Sequence, residues 1–146
     1  MTDETFTAYD IRGRIHEGVS LELAWNIGKA LGDWLSTYGS IAIVRGAGAN
    51  ETLVNAVVEG LRLQGRDVID GGTGDKSTLT NHIQSDGLSG GVFVAHDEQD
   101  DVCVIELYDE KAQLIVAENG LSEIGELVRS GNFVPAATKG ELTAIA

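Results

Sequence analysis

Cysteine, proline and aromatic residues are scarce in this sequence, basic residues are outnumbered, and no apolar run is long. The single cysteine among 146 residues, Cys103, excludes an intrachain disulfide and a thiolate metal cluster. It lies inside the apolar run Val102-Cys103-Val104-Ile105 and so reads as a buried strand residue. No segment approaches the ~20 apolar residues that a membrane-spanning helix needs. The start, Met1-Thr2-Asp3-Glu4, is acidic where a secretory signal is basic and then apolar. A reducing cytoplasm is the expected location. Ten Lys and Arg stand against 23 Asp and Glu, a net charge of −13. At that charge, repulsion from phosphate backbones and anionic lipid makes nucleic acid and membrane surfaces poor partners. A small phosphorylated anion could bind only where arginines or a helix N-terminus reverse the field locally.

What is present is an ordinary apolar content, 42%, in a length that fills one core and not two. From Leu21 to Leu35 apolar residues recur at three- and four-residue spacings behind Ser20, which predicts an amphipathic helix closed by Gly39. Ile41-Ala42-Ile43-Val44 then reads as a buried strand, and Gly46-Ala47-Gly48-Ala49 as a turn. Asn50 caps a second helix with the stripe Leu53, Val54, Val57, Val58 and Leu61, ending near Gly65. Strand Asp67–Asp70, a weaker helix from Ser77 to Gln84 and strand Gly90–Ala95 follow. A polar loop from His96 to Asp101 separates that strand from Cys103–Leu107, and so short a connection makes the two antiparallel. Leu121, Ile124, Leu127 and Val128 mark a last helix capped by Gly131.

This alternation predicts an α/β fold: a three-layer α/β/α sandwich with a mixed, mostly parallel sheet of about four strands. Residues 1–131 make the domain. Residues 132–146, holding the only proline and no periodicity, read as a C-terminal linker or tail.

By residue chemistry alone the functional signals are weak. Gly46-Ala47-Gly48 before a helix lacks the Lys-Ser or Lys-Thr of a phosphate loop and reads as a plain strand-to-helix turn. Asp97, Glu98, Asp100 and Asp101 fit no regular calcium loop, and His16, His82 and His96 have no ligand spacing, so no metal site is assigned. Arg12 beside carboxylates would pair at a turn, and Tyr9 would pack.

The segment Thr5-Phe6-Thr7-Ala8-Tyr9-Asp10-Ile11-Arg12-Gly13 is more specific, because it closely resembles the F-x-A-Y-D-I-R-G opening of the α-D-phosphohexomutases (phosphoglucomutase/phosphomannomutase). The order of later segments agrees: Ile27-Gly28-Lys29-Ala30-Leu31-Gly32, Asn50-Glu51-Thr52-Leu53, Gly65-Arg66-Asp67-Val68-Ile69-Asp70, Gly90-Gly91, Ile105-Glu106-Leu107-Tyr108-Asp109 and Gly120-Leu121-Ser122-Glu123-Ile124. The resemblance runs through nearly the whole chain and matches only the first of that family's four domains. It implies an intramolecular phosphotransferase ancestry in carbohydrate metabolism, with Tyr9 and Arg12 on the floor of a phosphosugar site. Arg45 is what remains of the family's G-R-D-x-R turn. Magnesium ligands, by the same resemblance, lie mainly in the second domain, so no cofactor is expected on this chain alone.

The main departure lies at the family's T-A-S-H-N-P loop, whose serine carries the phosphoryl group. The corresponding residues are Ala95-His96-Asp97-Glu98-Gln99-Asp100. Counted without gaps from Gly90-Gly91, Asp97 takes the serine position, with His96 adjacent. A two-residue gap would put Ala95 there instead, and neither alignment supplies a serine. An acyl phosphate on Asp97 would hydrolyse too readily to shuttle phosphate, although the carboxylate could imitate part of the charge of phosphoserine. The chain alone is therefore expected to be inactive. Two alternatives remain: a weak hexose-phosphate site built from Tyr9, Arg12 and Arg45, and a non-catalytic interaction module. The latter would be covered by further domains of a longer protein or by self-association.

Overall fold

In a computed structural model of the chain, which describes residues 5–15 and 17–144, the sheet is built outward from buried apolar runs. Strand β2 (Ile41–Arg45) has four consecutive buried residues and lies between β4 (Gly90–Asp97) and β3 (Val68–Thr73), parallel to both. Strand β5 (Val102–Tyr108) returns antiparallel to β4, as the short connection requires. Two further strands flank these: β1 (Ile11–Gly13), antiparallel to β5, and β6 (Leu142–Ala144), parallel to β3. The order is β1-β5-β4-β2-β3-β6, mixed and mostly parallel. The sheet thus has six strands rather than about four. The two additional strands have three residues each, too few for periodicity to be visible, and exist because longer neighbours offer them a free edge.

Helices cover both faces, giving the expected three layers. On one face α1 (Leu21–Trp34), α2 (Glu51–Leu63) and α4 (Leu121–Ser130) bury their stripes against Ile41, Ile43, Val92, Val94, Ile105 and Leu107. On the other, α3 (Lys76–Asp86) sets Leu79 and Ile83 against Ala42, Val44 and Phe93. Caps fix the starts: Ser20 Oγ accepts from Leu23 N–H, and Asn50 Oδ1 from Leu53 N–H, each at 3.0 Å. Helix α1 stops at Trp34, before Gly39, because Arg66 takes over its end. The buried guanidinium of Arg66 donates to the carbonyls of Gly32, Leu35 and Thr37, so the chain leaves the helix and enters β2.

The segment after Gly131 is strapped to the domain rather than running free. Ala136 N–H donates to Leu63 O, Gly140 N–H to Arg62 O, and Lys139 pairs with Glu59 at 2.7 Å before β6 begins. Likewise, the polar stretch after Ala95 is not all loop: β4 continues through Asp97, which faces Val102 across a turn formed by Glu98–Asp101.

The tightest contact is between α1 and α2. A methyl group at Gly60 would sit 2.1 Å from the Trp25 carbonyl oxygen, and one at Gly28 2.2 Å from that of Val57. Gly60→Ala should therefore push the helices apart, costing about 3 kcal/mol and roughly 6–12 °C of melting temperature. Thermal denaturation followed by circular dichroism measures this, and an unchanged midpoint would mean the helices do not meet there.

Candidate functional site

The segment Thr7–Asp10 folds into a turn because Thr7 both accepts and donates. Its Oγ1 accepts from the N–H groups of Tyr9 and Asp10 and gives its own hydrogen to Asp10 Oδ1 at 2.7 Å. The carboxylate so fixed receives the planar fork of Arg12, Nε to Oδ1 at 3.2 Å and Nη2 to Oδ2 at 2.8 Å. Burial alone would raise the pKa of Asp10, but the hydrogen bonds from Arg12 and Thr7 outweigh it and hold the carboxyl below its ordinary value. The same hydrogen bond to Asp10 raises the Arg12 pKa. Tyr9, at the tip of this turn, does not pack: it is 67% exposed.

Register decides which residues share a face. Arg12, Val104 and Ala95 lie side by side across β1, β5 and β4, and residues paired in this way project to the same side. Phe93 and Glu106 form the next row on that face, and Asp97 follows Ala95 by two residues. Together with Lys76, at the start of α3, and Asp10, just before β1, they line a cavity of about 270 Å³ along β1, β5 and the second half of β4. Lys76 Nζ lies 3.1 Å from both oxygens of Glu106, a carboxylate only 7% exposed.

Asp97 and His96, neighbours in sequence, point to opposite sides of the sheet. Asp97 Oδ1 accepts from Gln99 N–H at 3.0 Å and Asp100 N–H at 3.3 Å, which closes the β4–β5 turn, while its Oδ2 is 3.8 Å from Arg12 Nη1. The carboxylate is thus tied to its own hairpin. His96 shares its row with Cys103 and Gly13 and reaches Asp101, Nε2 to Oδ1 3.2 Å. Cys103 is buried as expected, and burial pushes its thiol up to about 11.

Arg45 does not join this constellation. It lies in the Val94 row, on the side of the sheet that faces α2, and its guanidinium is held by Asp70 at 2.9 Å and Glu51 at 3.2 Å. The three groups Tyr9, Arg12 and Arg45 are therefore not brought together. Lys76 and Asp10 carry no assignment in the sequence. A charge within the apolar run Val102–Leu107 was the available signal for Glu106, since a buried carboxylate demands a cation. Among the described residues no three His, Cys, Asp or Glu side chains converge as metal ligands. His16 lies outside the described residues.

No family model matches the sequence. A Klebsiella pneumoniae phosphomannomutase is 33% identical over 135 residues, 89% of this chain and 83% of that protein. The chain belongs to the phosphohexomutase family. A Salmonella montevideo phosphomannomutase is 35% identical over 137 residues, and the match spans only 29% of that protein's length. The fold agrees as well. A Burkholderia thailandensis phosphoglucomutase/phosphomannomutase family protein superposes with a TM-score of 0.74 at 22% identity, over 99% of this chain and 33% of the other. Within the phosphohexomutases, then, this chain corresponds to about one domain.

Two outcomes follow from the geometry. Because the depressed pKa of Asp10 lies below its unfolded value, its contribution to stability is complete above pH ~4 and is lost as pH falls through the folded value. Asp10→Asn should cost about 1.5–3 kcal/mol at neutral pH. The gap from wild type should narrow below pH ~4 in urea titrations; a gap constant to lower pH would remove Asp10 as the responsible group. Cys103 should resist a thiol reagent at pH ~8 while the chain is folded and react fully in denaturant, as absorbance of the released chromophore would report.

Proposed function

We propose that this chain serves as a first domain of phosphohexomutase type from which the phosphoryl-carrying step has been lost, leaving anion contact and framework in place of turnover. The observation that carries the proposal is the state of Asp97. It stands on a paired strand, one oxygen accepts two N–H groups of its own turn, and no residue from Ala95 to Val102 carries a hydroxyl. Phosphoryl transfer through an enzyme-bound ester needs a hydroxyl that an incoming phosphate can approach, and no hydroxyl stands there. Within this domain the cavity is open to solvent, so excluding water from a reacting phosphoryl group would fall to other domains.

Hexose phosphate binds at most weakly under this proposal. Arg12 is already forked onto Asp10, and three carboxylates line the cavity against two cations. The domain-sized match to longer phosphomannomutases supports further domains of a longer protein as partners, with self-association as the rival. The net charge of −13 disfavours nucleic acid and anionic membranes. No described helix is long and apolar enough to cross a membrane, and a lone, unpaired cysteine fits a cytoplasmic setting. No cofactor is proposed for the chain alone.

The test is incubation with a hexose 1,6-bisphosphate, followed by intact-mass measurement and a coupled mutase assay. Unchanged mass and turnover equal to a heat-killed control are expected. A gain of one phosphoryl group, whether acid-stable or labile to hydroxylamine as an aspartyl phosphate would be, would overturn the proposal.

A further inference from the structure

Two cations reach the cavity from separate elements, and each is held by a buried carboxylate. Asp10 is 7% exposed and fixes Arg12 through Nε and Nη2. Glu106, also 7% exposed, fixes Lys76 symmetrically, 3.1 Å to each oxygen. These carboxylates satisfy only part of each cation. Arg12 Nη1 makes no hydrogen bond among the described residues, its 3.8 Å separation from Asp97 Oδ2 lying beyond hydrogen-bonding reach. An ammonium group has three donors, and Lys76, 60% exposed at its side chain, directs bonds among the described residues only to Glu106. The two anchors stand close: Glu106 is two residues beyond Val104 on the same face of β5, and Val104 is the register partner of Arg12, so their strand positions differ by about 7 Å. Phe93, Ala95 and Val104 form an apolar floor between them.

From this we infer that Lys76 and Arg12 together form a two-cation subsite for a dianionic phosphate group, with Lys76 as a binding residue and Glu106 as the residue that positions it. The ordering cost of two long side chains is already met within the free protein, which favours capture of an anion by the donors left over. Dianionic phosphate has the charge to answer both cations and enough oxygens to meet donors from two directions. Asp97 weakens the subsite. It is the lining carboxylate without a close cation, and its charge faces the same Nη1 that an anion would use. The inference rests on the proposal that the site has kept anion contact without turnover, and it adds the second cation.

The experiment is a titration of the folded chain with inorganic phosphate against sodium chloride at matched ionic strength, followed by amide and arginine side-chain proton–nitrogen spectra. Resonances of Arg12 Nε–H and of residues 10–13 and 75–77 should shift together with one millimolar-range dissociation constant. Asp97→Asn should tighten binding several-fold, Lys76→Met should weaken it at least five-fold, and Lys76→Arg should restore it. A hexose 6-phosphate titrated in parallel identifies the source of the phosphate group. Tighter binding than inorganic phosphate assigns a sugar ester, and equal binding assigns the free ion; either supports the subsite. Because Lys76→Met leaves Glu106 without its cation, Lys76→Arg and the wild-type shift map carry the test if that variant unfolds. The inference is overturned if phosphate shifts only resonances elsewhere, such as those around Arg45, or if no shift occurs in either wild type or Asp97→Asn. It is also overturned if a folded Lys76→Met binds like wild type while Arg12→Ala does not, a result that would leave the loss of turnover untouched. Turnover with hexose bisphosphate, conversely, would refute the functional proposal whatever phosphate does at Lys76.

Discussion

The α1–α2 contact is the constraint on which the rest of the arrangement depends. Two glycines, Gly28 and Gly60, let the helix backbones come so close that each would meet the other's carbonyls if either had a side chain. Close packing there draws the apolar stripes of both helices down onto one continuous core shared with β2 and β4. Arg66 completes the fixing of α1. Its guanidinium holds the carbonyls at the helix end, and since Arg66 lies in the short connection between α2 and β3, the end of α1 and the approach to β3 are set by one side chain. With α1, α2 and the central strands mutually located, the carboxyl ends of β2 and β4 are fixed in space, and so is everything that projects from them.

At that edge, charge takes over from packing. The chain is strongly acidic, and its few cations near the cavity are held by carboxylates that the fold has already buried. Asp10 with Arg12 and Glu106 with Lys76 are built alike: a shielded acid that would be costly if unpaired, and a more exposed base whose remaining donors look outward. Asp97 differs, because its charge closes a turn instead of meeting a base at short range. The cavity therefore presents oriented positive charge and, from Ala95 to Val102, no hydroxyl, which is the basis for proposing that anion contact and phosphoryl transfer have separated in this chain.

Much of this was legible in the sequence where the signal was local. Ser20 and Asn50 cap the helices they precede, Gly131 closes α4 in a left-handed conformation, and the short connection after β4 makes β5 antiparallel. The opening segment gave the family. What escaped was set by distant partners. Strands β1 and β6 form because β5 and β3 have free edges, and residues after Gly131, which show no periodicity, are held by Glu59, Arg62 and Leu63 on α2. Grouping Arg45 with Arg12 failed because sequence order carries no register: one extra position along β2 and β4 places Arg45 on the opposite face. Tyr9, which residue chemistry alone would pack and the resemblance would set on the floor of a phosphosugar site, is held outward by the Thr7–Asp10 turn and does not line the cavity around Arg12. Lys76 was invisible because its significance comes from Glu106, 30 residues away.

The hairpin at Asp97 also bears on how reversible the proposed loss of transfer would be. A point mutation could exchange the carboxylate for a hydroxyl, but the backbone would remain laddered to Val102, with only Glu98–Asp101 to turn the chain. Such a hydroxyl would stand on a paired strand, with the N–H groups of Gln99 and Asp100 in its own turn as the amide donors beside it. Those amides are aimed by the turn Glu98–Asp101, so the backbone of the hairpin, as well as the side chain, sets what a substitution at Asp97 could do.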